Sequence, residues 1–191
     1  MTAVATLNIR MIGRAPLLMH AGHLADPLDE RAVALAEITS KRAKTRADHE
    51  EIGRREWHGG LWLHDQRPCL PAAAVKAALI DAARTKKKGK AAAAGLWVEG
   101  PAMLSYDGST DVRVLWEDPN FRLRTGVRVR DATTMRTRAR FPEWSAEVVV
   151  TFLASVLNRA EVTDFFQIAG FLVGIGDWRP EYGRFTTVLI E

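Results

Sequence analysis

A single cysteine, Cys69, leaves this chain of 191 residues without the means to form an intrachain disulfide framework or a zinc site built on several thiolates. No apolar run approaches the roughly 20 residues that a membrane-spanning helix needs, and the amino-terminal stretch lacks the charged and apolar blocks of a secretory signal. Together these absences point to a reducing cytoplasm and away from the membrane. Acidic residues are also scarce in one place: between positions 122 and 140, Asp131 is the one carboxylate.

That segment carries seven arginines, all on even-numbered positions: Arg122, Arg124, Arg128, Arg130, Arg136, Arg138 and Arg140. Side chains of an extended strand alternate with a period of two, so this spacing predicts one cationic face, with Leu123, Val127, Val129, Met135 and Phe141 on the other. The net charge of +4 is modest, because 27 basic residues are offset by 23 acidic ones, so distribution matters more than total. Two readings stand. Arginine stems often cover apolar surface while their heads stay solvated; alternatively, the planar donor forks grip phosphates and stack on bases. Concentration of the charge favours recognition of nucleic acid. A turn or bulge at Ala132-Thr133-Thr134 would divide the series, with Arg122 to Arg130 on one strand face and Arg136 to Arg140 as its continuation.

With 47% hydrophobic residues the chain can bury a sizeable core, expected as one domain over 1–191 with residues 13–69 as an inserted subregion. Ala5 to Ile12 reads as an opening strand and Glu30 to Ile38 as a short helix; Lys41 to Arg55 is a mixed-charge stretch, and Gly59-Gly60 predicts a turn. Pro71 suits the first turn of a helix in which Val75, Ala78, Leu79 and Ala82 form one buried stripe. That helix is expected to fail near Gly89, leaving Lys86, Lys87, Lys88 and Lys90 in an exposed loop, a second candidate phosphate contact. Short strands are expected within 94–98 and 103–115, and a clearer one over 145–152. Asn158 and Glu161 form a reciprocal helix cap ahead of Val162, Phe165, Phe166, Ala169, Leu172 and Val173. After Gly174-Ile175-Gly176, Phe185 to Ile190 returns as a strand, with Arg179 and Arg184 flanking the turn as further phosphate contacts. The element order fits a modified ferredoxin-like or RRM-like α+β sandwich, with a large insertion after the first strand and helices on one sheet face.

Catalytic signals are weaker. His20 and His23, with Asp26 and Asp29 nearby, lack the remaining ligands of a metal site; His49, His58 and His64 do not supply them. Asp107, Asp111 and Asp118 could serve metal-assisted cleavage, yet Asp107-Gly108 and Asp118-Pro119 are also ordinary turn signals. The glycines between 170 and 183 follow a helix and lack a Walker lysine, which disfavours a nucleotide cofactor. The expectation is no cofactor, no metal and no catalytic residue. Trp116, Phe121, Phe141 and Trp144 lie near the arginines as possible stacking partners, with core packing as the alternative use.

The segment Leu70-Pro71-Ala72-Ala73-Ala74-Val75-Lys76-Ala77-Ala78-Leu79 is similar to the proline-led entry into the first helix of Cas7-like proteins of the RAMP superfamily, departing from the usual glycine-containing form at Ala72 and Ala77. Gly174-Ile175-Gly176-Asp177-Trp178-Arg179-Pro180-Glu181-Tyr182-Gly183-Arg184-Phe185 resembles that family's glycine-rich turn and final strand. The resemblance implies nucleic-acid binding, usually of RNA, by a homo-oligomer or filament of repeated subunits, alone or with related complex subunits. The expected function is therefore a noncatalytic subunit binding RNA or single-stranded DNA. A structural or assembly protein of a viral or mobile-element particle, and a metal-dependent nuclease, are the alternatives.

Overall fold

The computed structural model describes residues 3–129 and 131–190. It is a mixed α+β structure built on antiparallel sheets. The alternation of Leu7, Ile9 and Met11 makes β1 (Val4–Gly13) a strand with one buried face. β9 (Ser145–Leu153) lies on one side of it and β10 (Phe185–Ile190) on the other. β9 contributes Ala146, Val148, Val150 and Phe152 to the same core. β5 (Leu96–Val98) and β6 (Ala102–Ser105) both pair with β9, and β6 leads to β4 (Arg67–Leu70) and the short β3 (Leu63–His64). β10 therefore stands at one edge of the main sheet.

Helices cover one face of that sheet. α3 (Ala72–Thr85) buries Val75, Ala78, Leu79, Ala82 and Ala83, and α6 (Arg159–Ile168) buries Val162, Phe165 and Phe166, all within one hydrophobic core. The reciprocal cap of α6 is present: the Asn158 side chain accepts from the Glu161 N–H, and the Glu161 carboxylate accepts from the Asn158 N–H. The opposite sheet face, with Asn8, Arg10, Glu147, Val149 and Val188, is open.

A second sheet, in the order β2-β8-β7, is formed by β2 (Leu17–Met19), β7 (Arg122–Val129) and β8 (Ala132–Phe141). α1 (Glu30–Thr39) and α2 (Arg46–Gly60) pack together, and α2 crosses β8. α2 opens with a capping box in which Thr45 and Asp48 satisfy each other's backbone N–H groups. Of residues 13–69, β2 thus belongs to the second sheet and β4 to the main one.

Several local expectations are corrected. Gly59 and Gly60 end α2 rather than forming a separate turn: Gly59 lies under Leu24, where a side chain would press on the leucine, and Gly60 lies near the Met19 carbonyl. Lys86 to Lys88 form a turn, but Gly89 begins a new helix, α4 (Gly89–Gly95), because the alanines at 91–94 are strong helix formers. The strand expected from Ala94 shortens accordingly to β5. Within 103–115, the second half is helical: α5 (Val112–Glu117) is capped by Asp111, whose carboxylate accepts from the Arg113 N–H.

The glycine-rich stretch after α6 is held by backbone bonds from Ile175 N–H to the Gly183 carbonyl and from Gly183 N–H to the Pro16 carbonyl. Gly183 has φ of 69°, and a Cβ there would overlap the Ile175 carbonyl. Gly183→Ala is expected to lower stability by roughly 1–3 kcal/mol, read as a shift in the urea unfolding midpoint.

Candidate nucleic-acid interface

The β7–β8 register divides the arginines between two faces. Arg122 stands opposite Ala139, Arg124 opposite Thr137 and Arg128 opposite Thr133, so every even residue of β7 faces an odd residue of β8. Directly opposed residues share a face, which places Arg122, Arg124 and Arg128 on one side with Met135 and Thr137. Arg136, Arg138 and Arg140 start from the other, with Leu123, Thr125 and Val127, although the Arg136 guanidinium reaches to Glu56 on the α2 side. The expected single cationic face is thus overturned, because Val129 pairs with Ala132 and the two intervening positions shift the parity by one. Arg130 lies outside the described residues.

The second group is tied into the fold. Arg138 is 8% exposed, and its Nε donates to Asp177 Oδ2 at 2.7 Å. The Asp177 N–H donates to the Leu18 carbonyl, so the glycine-rich loop closes over this side of the sheet. Arg136 donates to Glu56 Oε1 at 2.8 Å, and Glu56 Oε2 accepts the Thr137 N–H, also at 2.8 Å. β2 ends at Met19, opposite Ala139, so the Glu56 carboxylate occupies the β8 edge where strand pairing stops. Arg140 is half-buried opposite Leu18.

Arg122 and Arg124 of the first group border a cleft between α2 and the hairpin. One groove, about 840 Å³, is lined by Lys44, Arg46, His49, Arg124, Thr133 and Met135 among others. An adjoining groove of about 680 Å³ is lined by Arg54, Trp116, Arg122 and Arg124, and the two share Glu50, Gly53, Arg124 and Thr137. Gly53 keeps the floor open, since a side chain there would press on Thr137. Six cationic side chains (Lys44, Arg46, Arg54, Arg122, Arg124 and Arg136) face three carboxylates across these grooves, leaving a net positive cleft. Those carboxylates are engaged locally: Glu50 with Arg46, Glu51 with Arg54 and Arg55, Glu56 with Arg136. Arg122 stacks over Trp116, its guanidinium carbon 4.6 Å from the ring centroid. Arg124 is exposed and makes no ion pair among the described residues.

Lys44, Arg46 and His49 are additions that parity reasoning did not find. Their signal was the basic content of the mixed-charge stretch 41–55, which became interpretable once the capping box set the helix start. Of the aromatic residues near the arginines, Trp116 lines the cleft, while Phe121, Phe141 and Trp144 are buried in the core.

The remaining candidates lie elsewhere. Lys86 pairs with Asp164 at 3.1 Å and Lys88 with Glu161 at 3.0 Å, tying the α3–α4 connection to α6. Lys87 and Lys90 are exposed beside them. Arg179 approaches Asp81 on α3 at 3.8 Å, and Arg184 is exposed, its carbonyl accepting from the Arg14 and Ala15 N–H groups. His23 pairs with Asp29 at 3.5 Å, whereas His20 sits by Arg138 and Asp177. Asp111 and Asp118 serve as helix caps. Among the described residues no group of three or more His, Cys, Asp or Glu is placed to hold a metal ion. No helix among them is long and apolar enough to cross a membrane.

No protein-family model matches this chain, and no curated protein matches it significantly.

Two measurements follow from this geometry. Glu56→Ala strands the Thr137 N–H and the Arg136 guanidinium, so urea unfolding should show a loss of about 2–3 kcal/mol, against less than about 0.5 kcal/mol for Arg124→Ala. Partial burial and the Arg138 charge hold the His20 pKa below the ordinary value, with Asp177 and Glu56 opposing and Arg136 adding to the depression. His58 is lowered by burial and Arg54, with Glu51 opposing. The unfolded chain therefore takes up protons first: stability is full above about pH 6.5 and falls as pH drops below it towards the folded values. Unfolding free energy measured from pH 7.5 to 5.5 should decline, and His20→Gln with His58→Gln should flatten the slope.

Proposed function

We propose that this chain is a noncatalytic subunit that binds single-stranded nucleic acid, RNA in preference to DNA, along the cleft between α2 and the β7–β8 hairpin. The observation that carries this reading is the excess of cationic over anionic side chains lining that cleft, with Arg124 shared by both grooves and without a carboxylate partner among the described residues. Guanidinium forks at Arg122 and Arg124 suit backbone phosphates, and the Thr133 and Thr137 hydroxyls add neutral hydrogen-bonding capacity. Such contacts grip the backbone rather than base edges, so binding is largely independent of sequence.

The ferredoxin-like or RRM-like topology belongs to the same proposal. It is supported by an antiparallel sheet in which β1 lies between β10 and β9, with α3 and α6 on one face and the other face open. The resemblance of the segments 70–79 and 174–185 to Cas7-like RAMP proteins agrees with it and adds the expectation that several copies occupy one strand. The partition of the arginines narrows the site. Arg136 and Arg138 support the hairpin, and Lys86 and Lys88 have their charges already engaged, so these contribute less than Lys44, Arg122 and Arg124.

Fluorescence anisotropy with labelled single-stranded RNA and DNA at several salt concentrations tests the proposal. The triple variant Lys44→Ala, Arg122→Ala, Arg124→Ala should weaken binding and lower the slope of log affinity against log salt by about 0.7 for each phosphate it no longer neutralises. Lys86→Ala with Lys88→Ala should leave most of the affinity. Equal binding by the triple variant and the parent, or cleavage of the probe in the presence of magnesium or manganese, would contradict it.

A further inference from the structure

The outer edge of β10 is uncapped over most of its length. The Gly13 N–H donates to the Trp144 carbonyl, on the β9 side of β1, so the backbone groups of its neighbour Ile12 point towards β10. Ile12, Arg10 and Asn8 stand opposite Thr186, Val188 and Ile190. By the alternation of an antiparallel ladder, the N–H and C=O groups of Thr187 and Leu189 then face outward, away from the sheet. No backbone hydrogen bond beyond the β1 ladder is made by residues 186–190 among the described residues. Phe185 is different. Its carbonyl is closed off by Gly170, in the π-helical turn Ala169–Val173 that packs beside β10.

Edge strands ordinarily carry a charge, a proline or a bulge that discourages pairing. β10 reads Phe-Thr-Thr-Val-Leu-Ile and has none of these. Its flanks are apolar as well: Val188 is 53% exposed on the open sheet face and Leu189 42% on the helix side, and in the adjoining turn Phe171 is 75% exposed and Leu172 54%. The nearest cross-strand charge, Arg10 opposite Val188, is neutralised by Glu147.

We propose that β10 pairs antiparallel with β10 of a second copy of this chain, joining two main sheets across a two-fold axis at Val188. The outward groups fix the register. Thr187 of each copy must exchange its N–H and C=O bonds with Leu189 of the other, which sets Val188 against Val188 and Thr186 against Ile190. This registration gives four main-chain bonds, uses no residue blocked by Gly170, and keeps both open sheet faces on one side. A strand free of charge suits its own copy because the residue on the two-fold axis meets itself, and a charge there would face its like. The Phe171 and Leu172 turns flank the seam on the helix side. The inference is independent of the nucleic-acid reading, and a closed pair would offer two clefts to one strand.

Sedimentation equilibrium of the nuclease-treated full chain tests the pairing, together with Val188→Cys under mild oxidation. The parent is expected at twice the chain mass. Val188→Lys and Phe171→Asp, both on exposed positions, are expected to remain folded by circular dichroism and to sediment as monomers at concentrations where the parent is dimeric. Val188→Cys should form a covalent dimer, since non-hydrogen-bonded antiparallel partners bring Cα atoms to about 4.5 Å, within disulfide reach. Val149→Cys, on the same face but away from the edge, should not. A parent that is monomeric at every concentration, or cross-linking no greater at 188 than at 149, would overturn the proposal, including in the case where β10 instead receives a strand from another protein.

Discussion

The pairing of Val129 with Ala132 is the constraint from which the rest of the second sheet follows. A strand pair repeats its facing every two residues, so an offset of one residue sends a whole set of side chains to the opposite face. Here that offset separates Arg122, Arg124 and Arg128 from Arg136, Arg138 and Arg140. Arg122 and Arg124 of the first set border the cleft beside α2, and two members of the second form ion pairs with Glu56 and Asp177. One register thus produces both a cleft-lining surface and the ion pairs that support it.

Glu56 connects that register to α2. Nearly buried, it accepts the Thr137 N–H where β2 has ended and receives Arg136 on its other oxygen. A carboxylate in this position would be costly without both donors. With both present it fixes how α2 crosses β8, and hence the width of the cleft over Gly53 and Thr137. Arg138 performs the corresponding task on the other face by holding Asp177, and through it the glycine-rich loop that leads into β10. Arginines that looked equivalent along the chain differ because each meets a different element.

Much of the main sheet was legible in the sequence. The alternation in β1 and β9, the apolar stripes of α3 and α6, the Asn158–Glu161 cap and the final strand are local signals whose packing agrees with their periodicity. The mixed-charge helix α2 was harder, because its buried residues Ile52, Glu56 and Trp57 include a carboxylate that periodicity assigns to solvent. The arginine faces were illegible for another reason. Parity within a strand is local, but parity across a hairpin depends on how many residues the connection uses. The cleft likewise needs α2 and β7 brought together across more than sixty positions, as the bond from Trp57 Nε1 to the Phe121 carbonyl shows.

The most direct test of the central claim is ultraviolet cross-linking of a bound single strand followed by mass-spectrometric mapping of the attachment sites. The account predicts attachment within the cleft, on peptides containing Trp116, Arg122 to Arg124 and Thr133 to Met135. Attachment concentrated on the open face of the main sheet, at Trp97, with the cleft peptides unmodified, would contradict it.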